Sequence, residues 1–161
     1  MRFVRATVLA ALFALAFVAS PASAELSDTR EGWRVEKTAH SFDDLVKRLE
    51  EAVKANKMGL VTAASASAGA ANEGITIPGN RIIGVYRNDF ARRMLEASIA
   101  AGIEAPIRFY ITENADKTAT LSYKLPTTIF APYSDEGGEP LRKLAEELDT
   151  MFARIADEAA K

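Results

Sequence analysis

The chain has 161 residues and no cysteine, and its 20 basic and 22 acidic side chains give a net charge of −2. This weakly acidic balance argues against a nucleic-acid-binding protein, because such surfaces neutralise phosphates with an excess of lysine and arginine. The absence of cysteine excludes disulfide bonds and a cysteine nucleophile. With His40 as its only histidine, the chain also lacks the ligands for a zinc or copper site built from histidine and cysteine.

The first 24 residues have the pattern of a secretory signal peptide. Arg2 and Arg5 precede the uncharged apolar stretch ATVLAALFALAFVA, and Ala22 and Ala24 occupy the small-residue positions of a cleavage site. The apolar stretch is too short to cross about 30 Å of hydrocarbon comfortably, so a retained membrane anchor is the less favoured interpretation.

We therefore expect cleavage between Ala24 and Glu25 and export to the periplasm or the medium. The remaining chain, which loses two positive charges with the signal, is expected to be soluble and not to insert stably into the membrane. Residues 25–32 are polar and rich in turn formers, which predicts a flexible lead-in. Residues 33–161 then have a suitable length for one compact domain.

The start of this domain contains His40. Alternation in WRVEKTA predicts a strand from Trp33, and Ser41 with Asp44 forms a capping-box pattern at the start of a helix over residues 42–56. His40 directly precedes the cap. It either packs on the first helical turn or lines a cleft between helix and sheet, and the second interpretation makes it a candidate ligand-binding residue.

The middle of the chain predicts a strand in MGLVTAAS, a short helix in SAGAANEG closed by Gly74, and a central strand in NRIIGVY. The segment NDFARRMLEASIAAG follows as a helix that Asn88 or Asp89 can cap and Gly102 ends. Its inward residues are expected to include Phe90, Met94, Ala97 and either Ile99 or Ala101.

Residues 107–113 and 118–124 predict a hairpin around the turn NADK. In the second strand Ala119, Leu121 and Tyr123 alternate with polar residues, so one face is expected to meet the helices and the other to meet solvent or a partner.

The C-terminal part contains the connector TTIFAPY at residues 127–133, to which the sequence assigns no role, and the loop SDEGGEP. A long apolar stripe then predicts a last helix over residues 140–159, with Pro140 at its first position. Four or five strands with three main helices predict a two-layer α+β sandwich.

The order of these elements resembles the DUF302 family, a domain of unknown function. The segment HSFDDLVKRLEEAVKANKMGLV is similar to the family's helix start and first helix, AGIEAPIRFYITENADKTATLSYKLP to its hairpin, and LAEELDTMFARIADEA to its closing helix. The matching residues are His40, Ser41, Phe42 and Asp43, then Arg48, Leu49 and Glu50, and in the hairpin Leu121, Ser122 and Tyr123.

The resemblance covers residues 33–160 and implies an α+β sandwich that forms dimers, without implying a reaction. It has one clear departure. Many members have a Phe-Gly-Asn-Pro turn where this chain has VYRND, so that Asn88 matches while Arg87 and Asp89 replace the glycine and the proline.

Two hypotheses for the function remain open. The first is a non-catalytic protein of the bacterial cell envelope, homodimeric, that binds a small, partly apolar ligand near Tyr86, Asn88, Tyr123 and His40 or docks another envelope protein. The second is an enzyme that uses carboxylate and tyrosine chemistry without a metal or a Cys/His nucleophile. Neither hypothesis requires a cofactor or a metal, and no catalytic residue can be assigned.

Overall fold

The computed structural model describes residues 29–161, so the expected signal peptide and residues 25–28 of the lead-in lie outside the described residues. The elements in chain order are β1 (Trp33–Ser41), α1 (Phe42–Ala55), β2 (Gly59–Ala64), α2 (Ala66–Asn72), β3 (Asn80–Tyr86), α3 (Asn88–Ala97), β4 (Ile107–Glu113), β5 (Thr118–Lys124), α4 (Pro126–Phe130) and α5 (Ser134–Ala160). Two short 3-10 helices cover Ala100–Glu104 and Ala131–Tyr133.

The five strands form one antiparallel sheet in the order β1-β5-β4-β3-β2, and α1 and α5 pack against the sheet and against each other. The predicted α+β class and two-layer arrangement are confirmed. The predicted hairpin is the pair β4 and β5, which lies in the middle of the sheet. Within residues 29–161 no helix has both the length and the apolar character needed to cross a membrane.

A cluster of three aromatic rings joins the two layers. The ring of Phe109 on β4 stacks on that of Phe152 on α5 with a centroid distance of 4.5 Å. Tyr123 on β5 lies edge-on to Phe109 at 5.2 Å and tilted to Phe152 at 5.4 Å. All three side chains are buried, and each such pair contributes about 0.5–1.5 kcal/mol beyond the area it removes from water.

Helix α1 begins as the sequence predicts. The Ser41 hydroxyl accepts a hydrogen bond from the backbone N–H of Asp44 at 3.3 Å. His40 is the strand residue just before this cap. Its Nδ1 atom lies 3.0 Å from the Asp44 carboxylate. The histidine therefore packs beside the first helical turn, as one of its two interpretations expects.

Helix α3 differs from the prediction at both ends. Arg87 is its N-cap and makes no side-chain capping bond, so neither Asn88 nor Asp89 caps the helix. The Arg87 guanidinium instead donates to both carboxylate oxygens of Asp89, at 2.7 and 3.0 Å, and lies 4.1 Å from the ring centroid of Phe90. This ion pair holds the turn that departs from the family pattern.

The helix ends at Ala97 and not at Gly102, because Ser98 is extended and its hydroxyl accepts a hydrogen bond from the N–H of Ala101. Serine competes with the helical backbone in this way and so favours helix ends. As a result Ala101 is fully buried while Ile99, the other candidate for the inward position, is 79% exposed.

Helix α5 starts earlier than predicted, within the expected loop SDEGGEP. Its first turn is interrupted at Gly138, whose φ of 52° and ψ of −147° are readily accessible only to glycine. The regular helix resumes next to Pro140, which places its main body where the sequence predicted it.

Truncation of the central ring should strongly destabilise the protein. We expect Phe152→Ala to lower the free energy of unfolding by about 3–5 kcal/mol, because it leaves a cavity beside Phe109 and Tyr123. Urea denaturation followed by circular dichroism measures this loss. Ile103→Ala, at a site 80% exposed, is the control and should change stability by no more than about 0.5 kcal/mol.

Glu113 should make stability depend on pH. Its carboxylate accepts a hydrogen bond from the N–H of Gly79 at 2.9 Å and lies 3.1 Å from Nζ of Lys117, and these contacts lower the pKa of Glu113. A carboxyl group with a lowered pKa in the folded state stabilises the protein above its unfolded pKa, and this contribution is lost as the pH falls through the folded value.

The variant Glu113→Gln should therefore be less stable than wild type at neutral pH and equal to it in acid. Urea unfolding at neutral pH and below the lowered pKa checks this. Glu51→Gln, at an exposed position of α1, serves as the control. An equal difference for Glu113→Gln at both pH values would contradict the assigned contacts.

Candidate functional site

The face of the sheet opposite α1 and α5 carries rows of side chains from neighbouring strands, because paired residues of an antiparallel sheet point to the same side. On this face Trp33 pairs with Lys124, and Gly84 pairs with Arg108. Phe109 pairs with Tyr123 on the face that meets the helices. Since Phe109 and Tyr123 face the helices, their strand neighbours Arg108 and Lys124 face the other way. We call the side that carries Trp33, Lys124, Arg108, Tyr110 and Ile82 the open face.

A groove of about 200 Å³ lies on this open face. Its lining includes Trp33, Ile82, Glu104, Arg108, Tyr110 and Lys124. Trp33 stands on β1, Lys124 on β5, Arg108 and Tyr110 on β4, and Ile82 on β3, so the groove crosses four of the five strands. The 3-10 helix Ala100–Glu104 contributes Glu104 at one end.

Two small residues, Ser122 and Gly84, lie in the rows of side chains next to the groove. Ser122 lies between Val35 and Tyr110 in one row, and its hydroxyl donates to the Tyr110 carbonyl at 3.4 Å, so it adds little height. Gly84 lies next to Arg108 in the other row. A Cβ atom at Gly84 would collide with Oγ1 of Thr62 and lie 3.0 Å from Cγ of Pro106. The side chains of Thr62 and Pro106 therefore already fill the space that a side chain at position 84 would need.

The charges in the groove are mostly positive. The Nζ atom of Lys124 lies 5.7 Å from the ring centroid of Trp33, a cation–π contact. Arg108 is exposed and has neither an ion pair nor a side-chain hydrogen bond with any of the residues 29–161. Glu104 accepts a hydrogen bond from the Tyr133 hydroxyl at 2.7 Å, which raises the pKa of Tyr133 and keeps that hydroxyl a neutral donor.

This arrangement combines an apolar floor with an available planar cation. Trp33, Tyr110 and Ile82 offer aromatic and aliphatic surface to a flat or chain-like apolar group. Arg108 offers a donor fork that matches carboxylate and phosphate geometry. Small-molecule sites in proteins commonly combine a predominantly apolar lining with a few polar groups that fix orientation.

The structure does not gather the four residues predicted from the sequence into one site. Tyr86 ends β3 and Asn88 begins α3, so both lie near the same end of the sheet, and both are exposed. Tyr123 is only 2% exposed and faces the helices. His40 lies at the opposite end of β1 from Trp33, beside Ser41, which pairs with Thr118. Ligand binding by these residues stays a prediction.

Two of these residues adjoin cavities. Tyr86 borders an apolar cavity of about 30 Å³ together with Phe90, Met94 and Phe152. That volume corresponds to about one water molecule, which is too small for a metabolite. The backbone around Tyr123 forms part of the open-face groove, but its side chain points away from it.

The hydroxyl of Tyr123 is buried and makes no hydrogen bond of normal geometry with the described residues. Burial raises the pKa of Tyr123, and the nearby Arg34 guanidinium partly offsets this effect. A neutral, inaccessible phenol of this kind does not serve as an acid or base toward a ligand in the groove.

The carboxylates at the hairpin turn are already occupied by local contacts. Asp116 accepts hydrogen bonds from the backbone N–H of Thr118 at 3.0 Å and from its hydroxyl at 2.6 Å, and Glu113 binds Gly79 and Lys117. Among residues 29–161 no group of three or more His, Cys, Asp or Glu side chains is placed to hold a metal ion.

Sequence reasoning missed Trp33, Arg108, Tyr110 and Lys124 as one group. A signal was present, because in IRFYITE the residues Arg108 and Tyr110 alternate with the apolar residues that face the helices. The same alternation places Lys124 opposite to Tyr123. The pairing of β1 with β5, which brings Trp33 beside Lys124, could not be inferred from the sequence.

A single antiparallel sheet with its helices packed on one side defines this protein as a two-layer α+β sandwich. The family model of the domain of unknown function DUF302 matches residues 34–159, and the chain therefore belongs to the DUF302 family. The resemblance inferred from the sequence is thus confirmed.

The fold is similar to that of an uncharacterised conserved DUF302 protein from Bacillus stearothermophilus, whose crystal structure superposes with a TM-score of 0.71. The match has 17% sequence identity and covers 82% of this chain and 100% of that chain. At this identity the likeness concerns the fold alone. No curated protein matches the sequence.

Proposed function

We propose that this protein is a non-catalytic binding protein of the bacterial cell envelope, homodimeric, that takes a small amphipathic anion in the open-face groove. The observation that carries the proposal is Arg108, a cation without an ionic partner among the described residues, which stands beside the apolar surface of Trp33 and Tyr110. The signal-peptide pattern of residues 1–24 supports the location in the envelope.

The chemistry of the groove selects the ligand class. A purely apolar molecule would leave Arg108 and Lys124 without a counter-charge, whereas a cationic one would be repelled by both. A carboxylate or phosphate monoester with an apolar body satisfies the two cations and covers the aromatic floor. A charge-assisted hydrogen bond of this kind contributes about 1.5–3 kcal/mol.

Trp33 provides a direct reporter, because it is the only tryptophan of the chain and lines the groove. Decanoate is a suitable probe, with decyltrimethylammonium as the cation of equal chain length. We expect decanoate to change the Trp33 fluorescence in a saturable manner and decyltrimethylammonium to have no saturable effect. Equal responses to the two probes would contradict selection by charge.

Replacement of Arg108 should weaken this binding. We expect Arg108→Gln to lower the affinity for decanoate about tenfold or more, because it removes the charge-assisted hydrogen bonds. Arg92→Gln is the matched control, since Arg92 is an exposed arginine of α3 outside the groove. The same loss in both variants would indicate a non-specific effect of net charge.

The same titration distinguishes ligand binding at the sequence-predicted site near Tyr86 and Asn88 from binding in the open-face groove. If Tyr86→Ala and Asn88→Ala lower the decanoate affinity while Arg108→Gln does not, the ligand binds at the junction of β3 and α3 and the proposed groove is wrong.

The contact between Glu104 and Tyr133 is the observation that favours the alternative function, an enzyme with carboxylate and tyrosine chemistry. If the protein is such an enzyme, wild type converts its ligand, whereas Glu104→Gln does not. A ligand should then co-purify with Glu104→Gln and be absent from wild type. Native mass spectrometry of both proteins, purified from the periplasm, distinguishes the two functions. The same bound mass in both favours the binding protein.

A further inference from the structure

The open-face groove contains one acidic side chain in addition to its two cations. Glu104 is the only carboxylate among the described residues that line the groove, and it is half-buried at the end of the 3-10 helix Ala100–Glu104. Arg108 and Lys124 line the same groove, yet no described lysine, arginine or histidine forms an ion pair with Glu104. The groove therefore presents a negative and a positive group that do not neutralise each other by direct contact.

The hydrogen bond from Tyr133 uses only part of the acceptor capacity of Glu104. Its Oε1 atom accepts the Tyr133 hydroxyl at 2.7 Å, whereas Oε2 accepts no hydrogen bond from any of the residues 29–161. An ionised carboxylate has about four acceptor positions on its two oxygens. The Tyr133 side chain packs against the hydrophobic core, so its contact also restrains the position of the carboxylate. Glu104 is thus an oriented acceptor that can still receive a donor from a ligand.

The charge of the groove discriminates between the two anionic groups that Arg108 could bind. Two cations and one carboxylate leave a balance of one positive charge. A carboxylate ligand matches this balance, because it carries one negative charge at neutral pH. A phosphate monoester carries about −1.5 to −2, so the excess negative charge would be repelled by Glu104.

We propose that the ligand of this groove is an apolar hydroxycarboxylic acid, whose carboxylate binds Arg108 while its hydroxyl donates a hydrogen bond to Glu104. The inference rests on the proposed function and narrows its ligand class. An ammonium group could also donate to Glu104, but the zwitterion that carries it would leave the positive balance of the groove uncompensated.

Glu104 makes the hydroxyl a condition for tight binding. A plain carboxylic acid that covered Glu104 with its apolar chain would remove water from the carboxylate without supplying a donor. An acceptor that loses its water and stays unpaired costs free energy. Sites built to bind a hydroxyl for this reason discriminate against the analogue that lacks it.

The probes must vary in the position of the hydroxyl. Glu104 and Arg108 are four residues apart, and an extended chain of this length spans at most about 14 Å. A hydroxyl near the carboxylate, in the middle or at the far end of a ten-carbon acid can therefore reach Glu104. Suitable probes are 2-, 6- and 10-hydroxydecanoate, with decanoate as the reference of equal chain length.

The test measures the affinity of wild type for these four acids by Trp33 fluorescence. We expect at least one hydroxylated probe to bind about tenfold more tightly than decanoate, which corresponds to one charge-assisted hydrogen bond. Glu104→Leu should lose this preference. Glu96→Leu, which removes an exposed carboxylate of α3 outside the groove, is the matched control and should keep it. If no hydroxylated probe binds wild type more tightly than decanoate, or if Glu104→Leu keeps the preference, the inference is wrong.

Decanoate also reports whether the groove of the variant is intact. It needs Arg108 but not the Glu104 acceptor, so Glu104→Leu should bind decanoate at least as tightly as wild type does. Loss of decanoate binding in this variant would overturn the inference, because Glu104 would then maintain the groove instead of binding a hydroxyl.

Decyl phosphate tests the charge argument in the same assay. We expect Glu104→Gln to shift the ratio of the two affinities from decanoate toward decyl phosphate, because it removes the negative charge that repels the second charge of the phosphate. An unchanged ratio would contradict the selection of a monoanion. If wild type shows no saturable binding of decanoate or of any hydroxylated probe, the proposed function itself fails. Saturable binding of decanoate without a preference for a hydroxyl refutes only the narrower ligand class.

Discussion

The stacking of Phe152 on Phe109 is the contact on which the other features of this protein depend. It attaches α5 to the middle strand of the sheet, and α5 in turn packs against α1, α3 and α4. It also sets the orientation of the strands. Because Phe109 points to the helices, its neighbours Arg108 and Tyr110 must point to the open face. The same alternation directs Tyr123 inward and Lys124 outward, so the packing of the core determines which side chains form the groove.

The groove and the uncharged edge strand β2 are both accessible because the helices pack on one face of the sheet. Helices packed on one face bury the apolar side chains that point toward them, and they leave the second face and the two edges of the sheet available. In this chain the second face holds the aromatic residues Trp33 and Tyr110 and the cations Arg108 and Lys124, while the edge strand β2 holds no charged residue. In the proposed function, the second face is the surface that binds the small ligand.

Most of the fold could be predicted from local patterns. The start of α1 followed from Ser41 and Asp44, and the alternation of the hairpin strands gave both their positions and their inner face. The end of α3 could not be predicted, because the effect of Ser98 depends on a hydrogen bond to Ala101 in the following turn. Periodicity alone allowed either Ile99 or Ala101 to face the core, and the structure selects Ala101.

The candidate site was harder to predict than the fold, since its residues come from strands that are distant in the chain. The alternation that placed Tyr123 beside Ala119 and Leu121 already implied a core position, which does not fit a role in contacting a ligand. Ser122 looked solvent-facing in the same pattern, yet it is buried because larger residues of neighbouring strands rise around it. Such cross-strand effects depend on register, and register between β1 and β5 is not encoded locally.

The close approach of Thr62 to Gly84 connects the groove to the edge of the sheet. A side chain at position 84 would require a smaller residue at position 62 or a displacement of β2, and in addition a small shift of Pro106. The side chains at the two positions therefore compete for the same space. In members of the family that conserve this geometry, a gain of volume at one position should be accompanied by a loss at the other.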